Sequence, residues 1–246
     1  MHQLIGISDL HNNKAQVTTK ENQSVDLIIT EYRLRFERHL SPGEATHLRG
    51  HFASVFTEEE MLHHHRRDGS LIYAYPRVQF KVIDRTAHLV GLAEAGELVE
   101  RLWREVESAR LGQEELPVLE ATLLRRRELL GECTEPVEYR FVNPWLGLNQ
   151  ENHSRYQRAR TDAERQALLE RVLIGNCLAV AKAFGHRVEG RVTADARRLR
   201  PRTCRFKEQP MVGFEGLFRM NFRLPNGIGI GKSVSRGFGT VSAVQA

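Results

Sequence analysis

Long apolar runs are missing from these 246 residues, and no stretch approaches the roughly 18 that a membrane-spanning helix requires. The first residues also lack a basic segment followed by an apolar core, so nothing reads as a secretory signal. Cysteine is scarce: Cys133, Cys177 and Cys204 lie far apart and form no CxxC pair. This odd, scattered set excludes a disulfide framework and a zinc ribbon, and it fits a reducing cytoplasm. Lysine is scarce too, since 30 of the 36 cations are arginine. The motif inventory is thin in the same way. No H-E-x-x-H occurs, and Ile7-Ser8-Asp9-Leu10-His11 imitates the strand end of a two-metal phosphoesterase without the further ligands that chemistry needs.

What is present is unevenly placed charge. The formal net charge is only +5, yet residues 185–246 carry 12 cations against 4 carboxylates, while residues 1–184 carry 24 against 27. Eight cations fall between Arg187 and Lys207, among them Arg197, Arg198, Arg200 and Arg202. Arginine grips phosphate with a planar fork and stacks on bases, so a basic face built late in the chain points to a polyanion, RNA or DNA first. A solvated charged surface is the competing reading.

Residues 1–24 are polar and aperiodic and read as a flexible lead-in. From Val25 the patterns become regular. Val25–Phe36 alternates like a strand with one wet face, and Ser41-Pro42-Gly43-Glu44 is a helix start with a capping box. Ala45, Leu48, Phe52 and Val55 follow at helical spacing. Strands are expected at Leu71–Ile83 and Ala87–Leu92, joined at Asp84-Arg85, then a helix over Gly96–Ser108 and a closing strand at Val118–Leu124. The order is βαββαβ, the ferredoxin-like arrangement. A second unit of the same kind is expected from 129: a strand near Val137–Val142, a helix capped at Thr161-x-x-Glu164 and running to Phe184, and strands at about 196–209, 211–224 and 239–244. That helix is apolar over much of its circumference, which suggests a central core helix. The fold class is therefore α+β, two tandem ferredoxin-like domains at 25–128 and 129–246.

Two stretches carry potential chemistry. In the tail, Gly227-Ile-Gly229-Ile-Gly231-Lys232-Ser233-Val-Ser235-Arg236-Gly237-Phe-Gly239, glycines bring backbone amides close to a ligand and Lys232 and Arg236 add charge. It sits too late for a dinucleotide fingerprint, and Asn226 stands where a P-loop needs glycine. A plain glycine-laden hairpin remains open. The second stretch is Leu62-His63-His64-His65, followed by Tyr73-Ala-Tyr75. In extended chain His63 and His65 share a side while His64 faces away. Two imidazoles on one side suit acid–base work near neutral pH. They also suit zinc if His47 and His51, four apart on the preceding helix, complete the set.

Together these features resemble the CRISPR-associated endoribonucleases that cleave repeat RNA, in the subgroup with an L-H-x-H motif. The likeness spans about residues 26–242 and rests on stretches in order: His47-Leu-Arg49-Gly50, Leu62–His65, Tyr75–Ile83, Pro144–Asn152, Ile174-Gly175-Asn176 and the glycine-rich tail. It implies a metal-independent endoribonuclease with no cofactor, in which His63 and His65 form the acid–base pair, Tyr73 or Tyr75 orients the phosphate and His51 is a reserve. It also implies that Gly229, Gly231, Lys232, Ser233, Ser235, Arg236 and Gly237 hold RNA, helped by Arg197, Arg198, Arg200 and Arg202. The expected partners are repeat or guide RNA and other CRISPR effector subunits, with no membrane. The alternatives are a non-catalytic guide-RNA-binding subunit and a metal-dependent phosphoesterase.

Overall fold

A computed structural model of the chain describes residues 3–4, 24–63, 74–206 and 209–244. Most of the expected lead-in, including the Asp9/His11 imitation motif, falls outside the described residues. The chain divides into two compact units. Leu27–Glu128 together with Ser235–Gly237 form the body of the first, and Leu129–Val234 with Phe238–Ala246 form the body of the second.

After a two-residue strand β1 (Gln3–Leu4), the first unit runs β2 (Ser24–Phe36), α1 (Ala45–Val55), β3 (Val78–Ile83), β4 (Thr86–Leu92), α2 (Ala95–Glu105), β5 (Ser108–Leu111) and the start of β6 (Glu114–Trp145). The strand order β3-β4-β2-β6 is that of a ferredoxin-like sheet. Alternation explains the core. Tyr32, Leu34 and Phe36 of β2, Phe80 and Val82 of β3, and Ala87 and Leu89 of β4 join Leu48 and Phe52 of α1 and Leu98, Val99 and Leu102 of α2. Each such apolar side chain stabilises the fold by roughly 2 kcal/mol, and Phe52→Ala would remove about 3–5 kcal/mol by adding a cavity. Pro42 opens a 3-10 turn at Ser41, whose capping box leads into α1. Asp84 and Arg85 both take positive φ, the two-residue turn that matches strand twist.

The second unit runs from the end of β6 through α3 (Gln150–Arg158), α4 (Asp162–Ala183), β7 (Ala194–Asp195), β8 (Leu199–Phe206), β9 (Gln209–Arg223) and β10 (Val241–Ala243). β10 pairs with β6, β6 with β9, and β9 with β8, so the strand order repeats that of the first unit. One element differs. Where the second helix belongs, the glycine-rich tail supplies only a 3-10 turn, Val234–Arg236. Phe214, Phe218, Met220 and Phe222 alternate onto one face of β9, where Cys177 of α4 meets Met220.

Four expectations change. The strand expected at Leu71–Ile83 begins at Val78; Leu71–Tyr73 lie outside the described residues, and Pro76 lacks the N–H a ladder needs. The separate strands at Val118–Leu124 and Val137–Val142 are parts of one 32-residue strand, which changes partner and carries a register shift between Glu132 and Val137. The hairpin strand β5 was hidden inside what reads as a helix end and a loop. Finally, α4 is not engulfed: Leu168, Leu169, Val172, Leu173, Cys177, Val180 and Ala181 form one buried face, while Leu178 is exposed. A helix laid on a single sheet buries only one side, however apolar the other is.

Candidate active site

In the first unit, α1, the turn after it and the segment before β3 enclose a cavity of about 190 Å³. Arg49, Glu60, Leu62, His63, Tyr75 and Arg77 are among the residues that line it. Leu62 is the anchor, only 2% exposed and part of the apolar core. A one-turn 3-10 helix, Glu60–Leu62, carries the chain to His63, whose amide donates to the Glu60 carbonyl at 3.0 Å. Arg49 of α1 closes this turn from the other side by donating to the Leu62 carbonyl at 3.2 Å. His63 is thus held in extended backbone, with its Nε2 buried and without a hydrogen-bond partner among the described residues. An unmet buried imidazole nitrogen is unfavourable by about 1–3 kcal/mol, which a water or a ligand atom would relieve.

Tyr75 sits on the same cavity wall, its hydroxyl oxygen accepting from Gln79 Nε2 at 2.9 Å. Gln79, fully buried, also donates to the Pro76 carbonyl at 3.1 Å, which fixes the ring and the bend before β3 together. His64, His65 and Tyr73 lie outside the described residues. His51 is elsewhere: its Nδ1 accepts the Arg110 amide of β5 at 3.2 Å, and it does not line the cavity. Burial, with the Arg110 charge, lowers its pKa despite Glu115 nearby. Among the described residues no three His, Cys, Asp or Glu side chains are grouped as a metal ion requires.

The glycine-rich tail divides its tasks. Lys232 is exposed, while its amide donates to the Leu146 carbonyl at 2.9 Å. Gly231, at φ +90°, leaves no room for a Cβ, which would meet Trp145 Nε1 at 2.6 Å. Trp145 in turn donates to Asn176 Oδ1 at 2.9 Å. The Pro144–Asn152 and Ile174–Asn176 stretches therefore seat the tail. Ser233 is half-buried and takes positive φ, and Gly229 packs on Val234. Ser235 is 3% exposed, and Gly237, at φ +91°, approaches Ala45 of α1 and the Phe80 carbonyl of β3. These residues hold backbone to backbone; the tail's solvent-facing cation is Lys232, and the Arg236 charge bears on Arg49.

The expected arginine cluster is exposed but largely paired. Arg197 holds Asp195 at 3.0 Å through Nε, Arg198 holds Glu138 at 2.8 Å and Arg202 holds Glu215 at 2.5 Å, while Arg200 donates to the carbonyls of Arg197 and Leu199. Exposed pairs of this kind contribute at most about 1 kcal/mol, so a phosphate can displace the carboxylate. Sequence reading passed over Arg140 and Arg219, both exposed on neighbouring strands of the same sheet and without an ion pair among the described residues. It also passed over Arg49 and Arg77 in the cavity, although Arg49 stands inside a quoted motif.

Comparison with known proteins decides the family. The Cas6b N-terminal domain model matches residues 25–129 and the Cas6b C-terminal domain model matches residues 131–244. The chain belongs to the Cas6b family. A crystal structure of Cas6b matches 89% of this chain and 100% of its own at 32% identity, with a TM-score of 0.83. A second Cas6b structure, described as a CRISPR RNA processing endoribonuclease, matches over the same shares at 30% identity and a TM-score of 0.71. An uncharacterized protein of Methanocaldococcus jannaschii is 35% identical over 118 residues, 48% of this chain and 80% of that one. A Cas6 product complex at 18% identity and a TM-score of 0.56 shares the fold alone. The ferredoxin-like tandem and the Cas6b assignment agree.

Proposed function

We propose that this Cas6b protein is an endoribonuclease that cuts CRISPR repeat RNA in precursor transcripts to give guide RNAs, without a metal. The observation that carries the reading is His63, which lines a cavity with Arg49 and Arg77 and whose Nε2 is buried and unpartnered among the described residues. The two Cas6b structures at 32% and 30% identity, one of them described as a CRISPR RNA processing endoribonuclease, support the substrate class.

RNA supplies its own nucleophile. A neutral imidazole takes the proton of the 2′-hydroxyl, and the 2′-oxygen forms a bond to phosphorus. The bond from phosphorus to the 5′-oxygen breaks, and an imidazolium gives its proton to that departing oxygen. The products are a 2′,3′-cyclic phosphate upstream and a 5′-hydroxyl downstream. His63 and His65 are the pair in this reading, with Tyr75 or Tyr73 orienting the phosphate. The occupied Nδ1 of His51 weighs against its reserve role.

The test is incubation of the purified protein with its repeat RNA in EDTA, with both new ends mapped. Cleavage with the ends named above is expected, and one 2′-deoxy substitution at the cut site should abolish it. His63→Ala or His65→Ala should slow cutting by about 100-fold or more while RNA affinity stays within about twofold. Loss of cutting in EDTA that Mg²⁺ or Mn²⁺ restores would reject the mechanism.

A further inference from the structure

Most arginines of the first unit have an obvious electrostatic partner. Arg33, Arg35, Arg38, Arg101, Arg110 and Arg126 each meet a glutamate. Arg49 does not. Its guanidinium is half-buried, makes no ion pair among the described residues, and donates to one neutral acceptor, the Leu62 carbonyl. The charge nearest in effect is of the same sign: burial first, and then Arg236, hold the Arg49 pKa below its ordinary value.

A folded chain tolerates a half-buried cation with no carboxylate paired to it when an anion completes the site. Arg49 retains a fork of N–H donors beyond the one spent on Leu62, the geometry that fits two phosphate oxygens. The space is available, because Arg49 and His63 line the same cavity of about 190 Å³, larger than a void that admits a benzene molecule. Arg77 lines the cavity as well, and the one carboxylate among its lining residues, Glu60, is exposed.

We propose that Arg49 is a catalytic phosphate ligand: its guanidinium holds a non-bridging oxygen of the scissile phosphate, beside His63, and stabilises the charge that develops there. The assignment rests on the endoribonuclease reading and deepens it. It gives α1 two tasks through one side chain, since the group that meets the phosphate also holds the turn that presents His63. A charge-assisted donor aimed at a developing oxyanion contributes most in the transition state, so the rate of the chemical step should respond more than binding.

The experiment uses the full-length protein and, for binding, repeat RNA made uncleavable by a 2′-deoxy substitution at the mapped cut site. That linkage is prepared either as phosphodiester or as neutral methylphosphonate. Neutralising it should weaken wild-type binding about tenfold. Arg49→Gln should weaken binding of the phosphodiester about tenfold and then be insensitive to the methylphosphonate, and its single-turnover cleavage should fall about 100-fold or more. Arg49→Lys, which keeps a cation and a donor toward Leu62, should recover binding and part of the rate. If the methylphosphonate penalty persists undiminished in Arg49→Gln, Arg49 does not hold that phosphate. Should Arg49→Gln fail to fold, the wild-type comparison carries the test: the assignment is overturned if neutralising that linkage leaves wild-type affinity unchanged, since no cation then holds it. The parent reading fails separately, through absence of wild-type cleavage in EDTA.

Discussion

Lys81 occupies the middle of β3 and is fully buried, on the sheet face opposite Phe80 and Val82. His88 is buried on the neighbouring strand β4, and Glu31 on β2 beyond it: the Glu31 carboxylate binds His88 Nδ1 at 2.6 Å, Arg33 at 2.9 Å and Arg126 at 2.5 Å. Burial alone would raise the Glu31 pKa, but these partners outweigh it and hold the carboxyl below its usual range. Burial pushes the Lys81 pKa down from 10.5 to about 7, with Glu31 opposing. The unfolded chain therefore holds a proton that the folded chain releases between pH 7 and 10.5, so stability rises with pH across that window. Urea unfolding of wild type should gain about 1 kcal/mol per pH unit from about pH 7.5 to 9.5, and Lys81→Met should flatten that slope. Equal slopes in the two proteins would show that Lys81 does not titrate there. Burial is also what the sequence hides at this scale: an alternating Gln79, Lys81 pattern reads as a wet strand face, and both residues are fully enclosed.

At the scale of elements, the tail depends on two residues remote from it in sequence. The Trp145–Asn176 hydrogen bond lies under Gly231, and Asn176→Ala would strand the indole N–H in a buried position. A loss of about 1–3 kcal/mol of stability is expected, read from the urea midpoint at unchanged slope. Asn176→Asp, which keeps the acceptor, should recover part of it; no difference between the two would assign the loss to packing alone. Capping boxes at Ser41 and Thr161 and the Asp84-Arg85 turn were legible because each is a local pattern with one geometry. β6 was not, since a strand that changes partner along its length shows nothing but alternation and interruption in its own residues.

Across the whole chain, charge would decide how tightly the proposed RNA substrate is held and at what salt. In the proposed interface Arg197, Arg198 and Arg202 would exchange carboxylates for phosphate, whereas Arg140, Arg219 and Lys232 have none to give up among the described residues. Arg140→Ala with Arg219→Ala should weaken RNA binding and leave the cleavage rate at saturating enzyme intact. The slope of log affinity against log salt should become shallower by about 1 for each arginine–phosphate pair removed. An unchanged slope would remove that sheet face from the interface. The late arginine run marked the second unit as basic, but pairing divides its cations in a way that the sequence does not reveal.

Periodicity, caps and turn residues by themselves determined the two ferredoxin-like units and most of their helices and strands, because such signals act over a few residues. Residue chemistry singled out the histidines and the tail, and the resemblance gave them roles. Only the tertiary structure decided that Leu62 and Arg49 fix His63 at a cavity, that most tail glycines serve close packing, and that His51 turns to β5. Those outcomes depend on which distant groups share a volume, and burial, unmet donors and ion pairing exist only once the chain has closed around them.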